Sequence, residues 1–136
     1  MNRTVFAFCI LFVCFSCEII DNNDSDNSTE TVISFLIEPD GLIISEFIED
    51  GRNKTSTFRP YVFFFNSNGF VTATKDRESI PGSFYVFRDD GRVELRMDFP
   101  LDSELYELTD DWYFYSQRGK LIRFDDSGDI IEFQQR

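Results

Sequence analysis

Residues 93–99, VELRMDF, alternate apolar and charged side chains without a break. Successive side chains of an extended strand point to opposite faces, so the four apolar residues share one face and the three charged residues share the other. This pattern predicts a strand with one buried face and one face in water. Pro100 follows, and it cannot donate a backbone hydrogen bond to a neighbouring strand, so we expect the strand to end there.

Further runs rich in aromatic and β-branched residues occur on both sides of this strand, separated by turn sequences such as Asn-Ser-Asn-Gly and Asp-Asp-Gly. The predicted strands are residues 42–48, 61–65, 70–74, 83–88, 93–99, 111–116, 121–124 and 130–133. Short strands joined by tight turns predict an antiparallel meander. Eight such strands can close on themselves and remove their exposed edges. We therefore predict an all-β protein with an eight-stranded antiparallel meander barrel.

Two segments are predicted to be helical instead. Residues 30–37 are mostly apolar with little alternation, and they follow Ser28-Thr29, which could cap a helix. Leu101, Leu105 and Leu108 are spaced by four and three residues, which places them on one helical face. We expect a short N-terminal helix and a short helix before the sixth strand, with these leucines closing one end of the barrel.

The N-terminal segment has the features of an export signal. Residues 5–15 form an apolar run of eleven residues, which is shorter than the roughly 20 that a spanning helix needs but typical of a signal peptide. The run ends at Val-Cys-Phe-Ser-Cys, where the small residue Ser16 precedes Cys17. This resembles a bacterial lipobox, in which a peptidase cuts before a lipidated cysteine. We expect residues 1–16 to be a lipoprotein signal peptide and Cys17 to carry the lipid; the alternative is a plain signal peptide with a spare cysteine.

The next segment, EIIDNNDSDNSTE at residues 18–30, contains five acids and no base. Such a sequence cannot bury enough apolar surface to order itself. We interpret residues 17–30 as an acidic disordered tether to a domain spanning residues 31–136. Acids soon after the lipidated cysteine resemble a surface-export signal of some Gram-negative groups, whereas a plain spacer would leave the domain in the periplasm; both remain open. A calcium loop in the tether would need a glycine and a distal glutamate that it lacks.

Composition argues against several classes of function. The chain has 25 Asp and Glu against 13 Lys and Arg, a net charge of −12, so we expect no nucleic-acid partner and attachment to the membrane only through the Cys17 lipid. It contains no histidine, which removes His-based triads and His metal sites. With the exported cysteine lipidated, cysteine nucleophiles and cysteine zinc sites are also removed.

Paired acids are the remaining candidates for chemistry, at Asp89-Asp90, Asp110-Asp111 and Asp125-Asp126. Carboxylates that hydrolyse glycosides must face each other across a cleft, but these pairs lie in or beside predicted turns. We therefore expect no enzyme activity, no cofactor and no metal, with a cation at Asp125, Ser127 and Asp129 as a weaker alternative.

Aromatic residues are unusually abundant, with 17 Phe, 5 Tyr and 1 Trp. Alternation divides most of them into two sets. The inward set is Tyr61, Phe63, Phe65, Phe84, Phe99, Trp112, Phe114, Phe124 and Phe133. The outward set is Phe64, Phe70, Tyr85, Phe87, Tyr113 and Tyr115. A fully hydrated face does not need six rings, so either the N-terminal helix and loops cover them or they form a binding surface for a partner protein or glycan, rimmed by Arg88, Arg96, Arg118 and Arg123.

Four stretches of the chain are informative together: FIEDGRNKTSTFRPYVFFFNSNGFVTATK (47–75), GSFYV (82–86), ELTDDWYFYS (107–116) and IIEFQQR (130–136). Through these stretches the chain resembles, from residue 42 onward, small Gram-negative lipoproteins with a lipocalin-like β-barrel domain. The chain departs from the family pattern at Leu42 and Phe84, where tryptophan is usual, and in a shorter turn at residues 125–129. The resemblance implies an eight-stranded barrel on a lipid anchor in the outer membrane, and it carries over no catalytic residue.

The sequence thus predicts a lipid-anchored cell-envelope protein that binds a partner through its outer aromatic side chains or the barrel rim. The alternative, suggested by the resemblance, is a carrier that holds a small hydrophobic ligand inside the barrel. An eight-stranded barrel is just wide enough to be filled by side chains or to hold one small ligand. Because the inward residues are almost all large, with Ala73 the main exception, we expect a filled interior.

Overall fold

The computed structural model of the protein describes residues 24–136, with side chains from Ser28 onward. The predicted signal peptide, Cys17 and the first part of the acidic segment lie outside the described residues. Within the described range, no helix has both the length and the apolar character needed to cross a membrane.

The described residues form a closed antiparallel β-barrel. Its strands are β1 Leu42–Glu49, β2 Arg52–Asn53, β3 Val62–Phe65, β4 Phe70–Lys75, β5 Glu78–Asp89, β6 Arg92–Asp98, β7 Asp110–Arg118, β8 Leu121–Asp126 and β9 Asp129–Gln135. β3 to β9 follow one another in a meander, and β1 pairs with both β3 and β9 to close the barrel. The two-residue β2 only extends β1 as a side ribbon. The predicted eight-stranded antiparallel barrel is therefore confirmed.

The helices are α1 Asp24–Leu36, α2 Thr55–Phe58 and a 3-10 helix over Glu104–Leu108. The helix before the predicted sixth strand is thus confirmed, and so is the N-terminal helix, although α1 begins six residues earlier than expected. Residues 24–30, which we assigned to the tether, are helical.

Each end of the barrel is closed by helical residues. Val32, Phe35 and Leu36 of α1 are buried in the core at the end where β1 begins. Leu105 and Leu108 of the 3-10 helix and Phe58 of α2 are fully buried on the far side of the core.

Leu101 does not pack with Leu105 and Leu108 at this end of the barrel. It is 77% exposed, because the helix begins only at Glu104, after Ser103 at its N-cap. A 3-10 helix has three residues per turn, so Leu105 and Leu108 share a face. The prediction that Leu101 lies on that face is wrong.

The barrel interior is filled with aromatic rings in edge-to-face contact. The ring centroid of Phe133 lies 5.6 Å from that of Phe63 and 5.7 Å from that of Phe65, and Phe65 lies 4.9 Å from Phe84. Eight of the nine predicted inward aromatics are buried, and the ninth, Phe114, is partly buried against the core. Edge-to-face pairs add about 0.5–1.5 kcal/mol to the free energy gained by burial, so these rings stabilise a filled core.

β5 is longer than predicted, because it starts at Glu78 and not at residue 83. It passes through Pro81, which lies opposite Thr72 of β4. A proline is tolerated here because β6 reaches β5 only at Ser83, opposite Asp98. Residues 78–82 therefore have a sheet neighbour on one side only, and the missing N–H of Pro81 breaks no ladder.

The barrel wall has one seam, between β1 and β3. These strands share a single residue pair, Leu42 with Phe63. Continued pairing would bring Pro60, which has no N–H, opposite β1, and the Tyr61 amide already donates to Phe58 O at 3.0 Å. The strands therefore separate, and α2 fills the opening.

Candidate functional site

Fully buried side chains, including Phe63, Leu95 and Phe133, occupy the centre of the barrel. Clefts of about 220–500 Å³ open on the surface of the described residues, and none of these clefts is lined by the three central side chains. We therefore look for the candidate site on the outside of the barrel.

The outer face of β4 and β5 carries a group of neighbouring aromatic side chains. Phe70 is 59% exposed and Tyr85 54% exposed. Phe70 lies opposite Ser83 of β5, so Tyr85, two residues further on the same face, is its diagonal neighbour. The Tyr85 and Phe87 rings are in contact, with centroids 5.2 Å apart.

This group continues across β6 to β7. Glu94 lies directly between Phe87 of β5 and Tyr113 of β7 in the cross-strand register. The guanidinium of Arg92 stacks on Tyr113, with its carbon 3.5 Å from the ring centre. We call Phe70, Tyr85, Phe87 and Tyr113 the aromatic surface.

The structure brings these four predicted residues together but separates the other two. Phe64 is half-buried beside Gly41, where an added Cβ would lie 2.9 Å from the Phe64 ring. The loop between α1 and β1 therefore packs against this ring. Tyr115 is 65% exposed at a β-bulge in β7, and its ring centre lies 5.8 Å from the Arg123 guanidinium. It lines a separate cleft of about 350 Å³ that also contains Arg118.

An apolar cleft joins the aromatic surface to α1. It has a volume of about 220 Å³ and is lined by Ile33, Ile37, Ser67, Gly69, Phe84, Tyr85 and Val86. The N-terminal helix thus packs beside Tyr85 without covering it. The outward aromatics therefore differ in exposure: Phe64 is half-buried, whereas Phe70, Tyr85 and Tyr115 are exposed.

No protein family, curated protein or solved structure matches the chain.

The arginines around the aromatic surface are held by neighbouring groups. Arg88 donates to the Gly91 carbonyl at 2.7 Å and to the Ser28 hydroxyl at 2.9 Å. Arg96 binds the carboxylates of Asp98 at 2.8 Å and Asp111 at 3.4 Å. The hydrogen bond to Asp98 is the main reason that the pKa of the Arg96 guanidinium is raised, so this charge is permanent and already paired.

Glu94 is the main residue of this region that sequence reasoning misplaced. Alternation predicts it in water, but only 4% of the residue is exposed. Burial, followed by repulsion from Asp89 and Asp111, raises the pKa of its carboxyl. Its position could have been found by counting outward from Asp90-Gly91, a two-residue turn with positive φ at both residues (45° and 79°). That turn places Phe87 opposite Glu94.

Two charged clusters lie at the end of the barrel closed by the 3-10 helix. Glu104 accepts hydrogen bonds from the Tyr61 hydroxyl and from Lys75, the latter at 3.0 Å. These bonds lower the pKa of Glu104, while burial and the Glu104 contact raise that of Tyr61. Lys54 bridges Glu49 and Glu107, at 2.9 Å from the latter. Both clusters fasten the 3-10 helix over the barrel.

The three pairs of acids lie at the ends of strands or in the turns beside them. Asp89 and Asp90 flank an exposed hairpin turn, and Asp111 pairs with Arg96. Asp129 accepts a hydrogen bond from the Asp50 amide at 2.9 Å, and the Ser127 hydroxyl donates to Asp126 at 3.1 Å. Within residues 24–136, no group of three or more acids, cysteines or histidines is arranged to hold a metal ion.

Proposed function

We propose that this protein is a lipoprotein anchored to the outer membrane through Cys17, and that its non-catalytic barrel binds a partner through the aromatic surface. The exposure of Phe70 and Tyr85 next to the Phe87 ring carries this proposal. Contiguous exposed apolar area costs solubility, and clustered aromatics are typical centres of binding interfaces. The barrel faces either the periplasm or the cell exterior.

The filled barrel disfavours the alternative of a hydrophobic-ligand carrier. A ligand in the centre would have to displace fully buried rings such as Phe63 and Phe133. Removing a large aromatic side chain from a core costs about 3–5 kcal/mol, which a single small ligand would have to replace. We expect delipidated protein to show no saturable binding of an environment-sensitive fatty-acid probe. Micromolar binding that fatty acid competes and that Phe63→Trp abolishes would favour the carrier.

The anchor is compatible with a surface held close to the membrane. Six residues, 18–23, lie between Cys17 and the first described residue, Asp24, so seven residue-to-residue steps connect the two. A fully extended chain covers at most about 3.6 Å per residue, so this connection spans no more than about 25 Å. Ser28 of α1 is bonded to Arg88 on β5, the strand that carries Tyr85 and Phe87. The partner would therefore meet the aromatic surface near the bilayer.

Site-specific photocrosslinking in living cells tests the proposal. Benzoylphenylalanine replaces Tyr85 in the full chain, and Tyr106, which is 45% exposed beyond the other barrel end, provides the matched control. We expect a discrete crosslinked product after illumination from position 85 but not from position 106. Identical patterns from both positions, or no product from position 85, would contradict binding through the aromatic surface.

A further inference from the structure

The carboxylate of Glu94 lies in an environment that offers it no partner. Phe87 and Tyr113 flank it on the two neighbouring strands, and Arg92 stacks on Tyr113 just beyond it. Only 4% of the residue is exposed. Among the described residues, no hydrogen bond or ion pair reaches its carboxylate, although a charge removed from water normally needs such a partner.

The carboxylate nevertheless keeps a small contact with solvent. No side-chain oxygen of the described residues is both fully buried and without a hydrogen bond. Since the oxygens of Glu94 have no such bond, they must keep contact with solvent. Phe87 and Tyr113 are thus its cross-strand neighbours, and its carboxylate oxygens account for part of the small area that remains exposed.

More negative than positive groups surround the carboxylate of Glu94. Asp89, Asp90 and Asp111 act on the carboxyl from the hairpin turn and from β7, and Arg92 is the only cation among its main electrostatic neighbours. The next cation, Arg96, is already paired with Asp98 and Asp111. A positively charged ligand would relieve this imbalance, whereas an anionic ligand would increase it.

Arg92 shows which kind of group the rings accept. Its guanidinium carbon lies 3.5 Å from the centre of the Tyr113 ring, well inside the roughly 6 Å range of a cation–π contact. It makes no ion pair with Glu94. The site therefore combines the Tyr113 ring, which holds a guanidinium, with the nearby carboxylate of Glu94, which has no cation paired with it.

We propose that the aromatic surface recognises an arginine or lysine side chain of a partner protein, which packs against Tyr85 and Phe87 and pairs with Glu94. This inference rests on the proposed function, because it names the chemistry of the partner at the same surface. The net charge of −12 favours the approach of a basic segment. An aromatic face beside a carboxylate is the combination that suits a guanidinium or ammonium group.

The test measures the binding of two labelled peptides to the mature lipoprotein in detergent micelles. One peptide alternates arginine and glycine, and the other has neutral citrulline at every arginine. We expect saturable binding of the arginine peptide and at least tenfold weaker binding of the citrulline peptide. Equal affinities would overturn the inference and favour a neutral partner such as a glycan.

Two variants separate recognition from general attraction to an acidic protein. Glu94→Gln keeps the size of the side chain and should weaken binding about five- to tenfold, whereas Glu78→Gln, the same charge change at an exposed position near the start of β5, should change it less than twofold. Arg92→Gln should strengthen binding by freeing Tyr113. Equal effects of the two glutamate variants would overturn the inference.

The crosslinking experiment distinguishes the failure of this inference from that of the proposed function. A partner captured at position 85 that lacks a basic residue at the crosslinked segment, and whose capture is unchanged by Glu94→Gln, would leave the proposed function intact and overturn only the inference. The absence of any product at position 85 would overturn both.

Discussion

The indole N–H of Trp112 donates a hydrogen bond to the backbone carbonyl of Leu108, at 3.0 Å. This bond joins β7 to the 3-10 helix that closes one end of the barrel. Trp112 is 2% exposed, and its ring lies 6.0 Å from that of Phe47 on β1. One side chain thus connects the wall of the barrel to its closing helix.

Trp112→Ala should therefore lower the free energy of unfolding by about 3–5 kcal/mol, because it empties a large aromatic site in the core. Urea titration measures the loss, and the native wild type should show blue-shifted tryptophan emission. Tyr115→Ala removes an exposed ring from the same strand and should change stability by no more than about 0.5 kcal/mol. Native emission like that of free tryptophan would contradict the buried position.

If Cys17 carries the proposed lipid, Cys17→Ser should release the protein from membranes or block its maturation, because a hydroxyl cannot replace the thiol that accepts the lipid. Fractionation followed by a carbonate wash measures the attachment. Cys14→Ser serves as the control and should leave the protein in the outer membrane, since bulky Val13 precedes Cys14. Retention of the Cys17→Ser protein after the wash would refute the lipid anchor.

Glu94→Gln should make the protein more stable at pH 7 and leave its stability unchanged below about pH 4. Burial and the neighbouring Asp89 and Asp111 raise the pKa of Glu94 above its ordinary value of 4.5. The native state therefore holds the proton more tightly than the unfolded chain, and the wild type loses stability as the pH rises from about 4.5 through the raised value. Glutamine stays neutral and avoids this loss.

Urea unfolding of both proteins across this pH range measures the difference. Glu78→Gln, at an exposed position, controls for the change in net charge. A destabilised Glu94→Gln protein at pH 7 would mean that the carboxylate is paired in the native state.

Gly82→Ala should lower the free energy of unfolding by about 1–3 kcal/mol, the usual cost of overpacking. An added Cβ would lie 2.7 Å from the carbonyl oxygen of Asp98 and 2.8 Å from the Phe99 ring. Gly119→Ala is the control, since no atom lies within 4 Å of its Cβ and its positive φ of 56° adds only backbone strain, of about 1 kcal/mol. A smaller loss at Gly82 than at Gly119 would contradict the close packing of β5 against Phe99.

The sequence was sufficient to predict the barrel and its core, because a strand with one wet face must alternate its side chains. Residues 93–99 show this pattern most clearly, and the inward aromatics of the other strands follow from it. Residues 52–58 have no such period, so β2 and α2 were not predicted. They are held by long-range contacts, such as the Phe47 amide donating to the Thr55 hydroxyl at 2.8 Å.

The candidate site was predictable in its residues but not in its grouping. Four of the six outward aromatics lie together because the Asp90-Gly91 turn and the pairing with β7 set the register. The β-bulge at Tyr115 separates this ring from the others. No feature of the sequence indicated the bulge. The burial of Glu94 depends on the sizes of the side chains on both neighbouring strands, and the alternation pattern contains no information about those sizes.

The pairing of β1 with β9 also determines when the barrel can form. Leu42 pairs with Gln135, so β1 can complete its pairing only after β9, the last strand, has been synthesised and has left the ribosome. Until then the edges of β1 and β8 stay open to pairing with other chains. Contacts so distant in sequence also slow folding. Loss of β9 alone would thus leave a sheet in which β1 and β8 have unpaired edges. Such a chain should aggregate, although most of its core residues are still present.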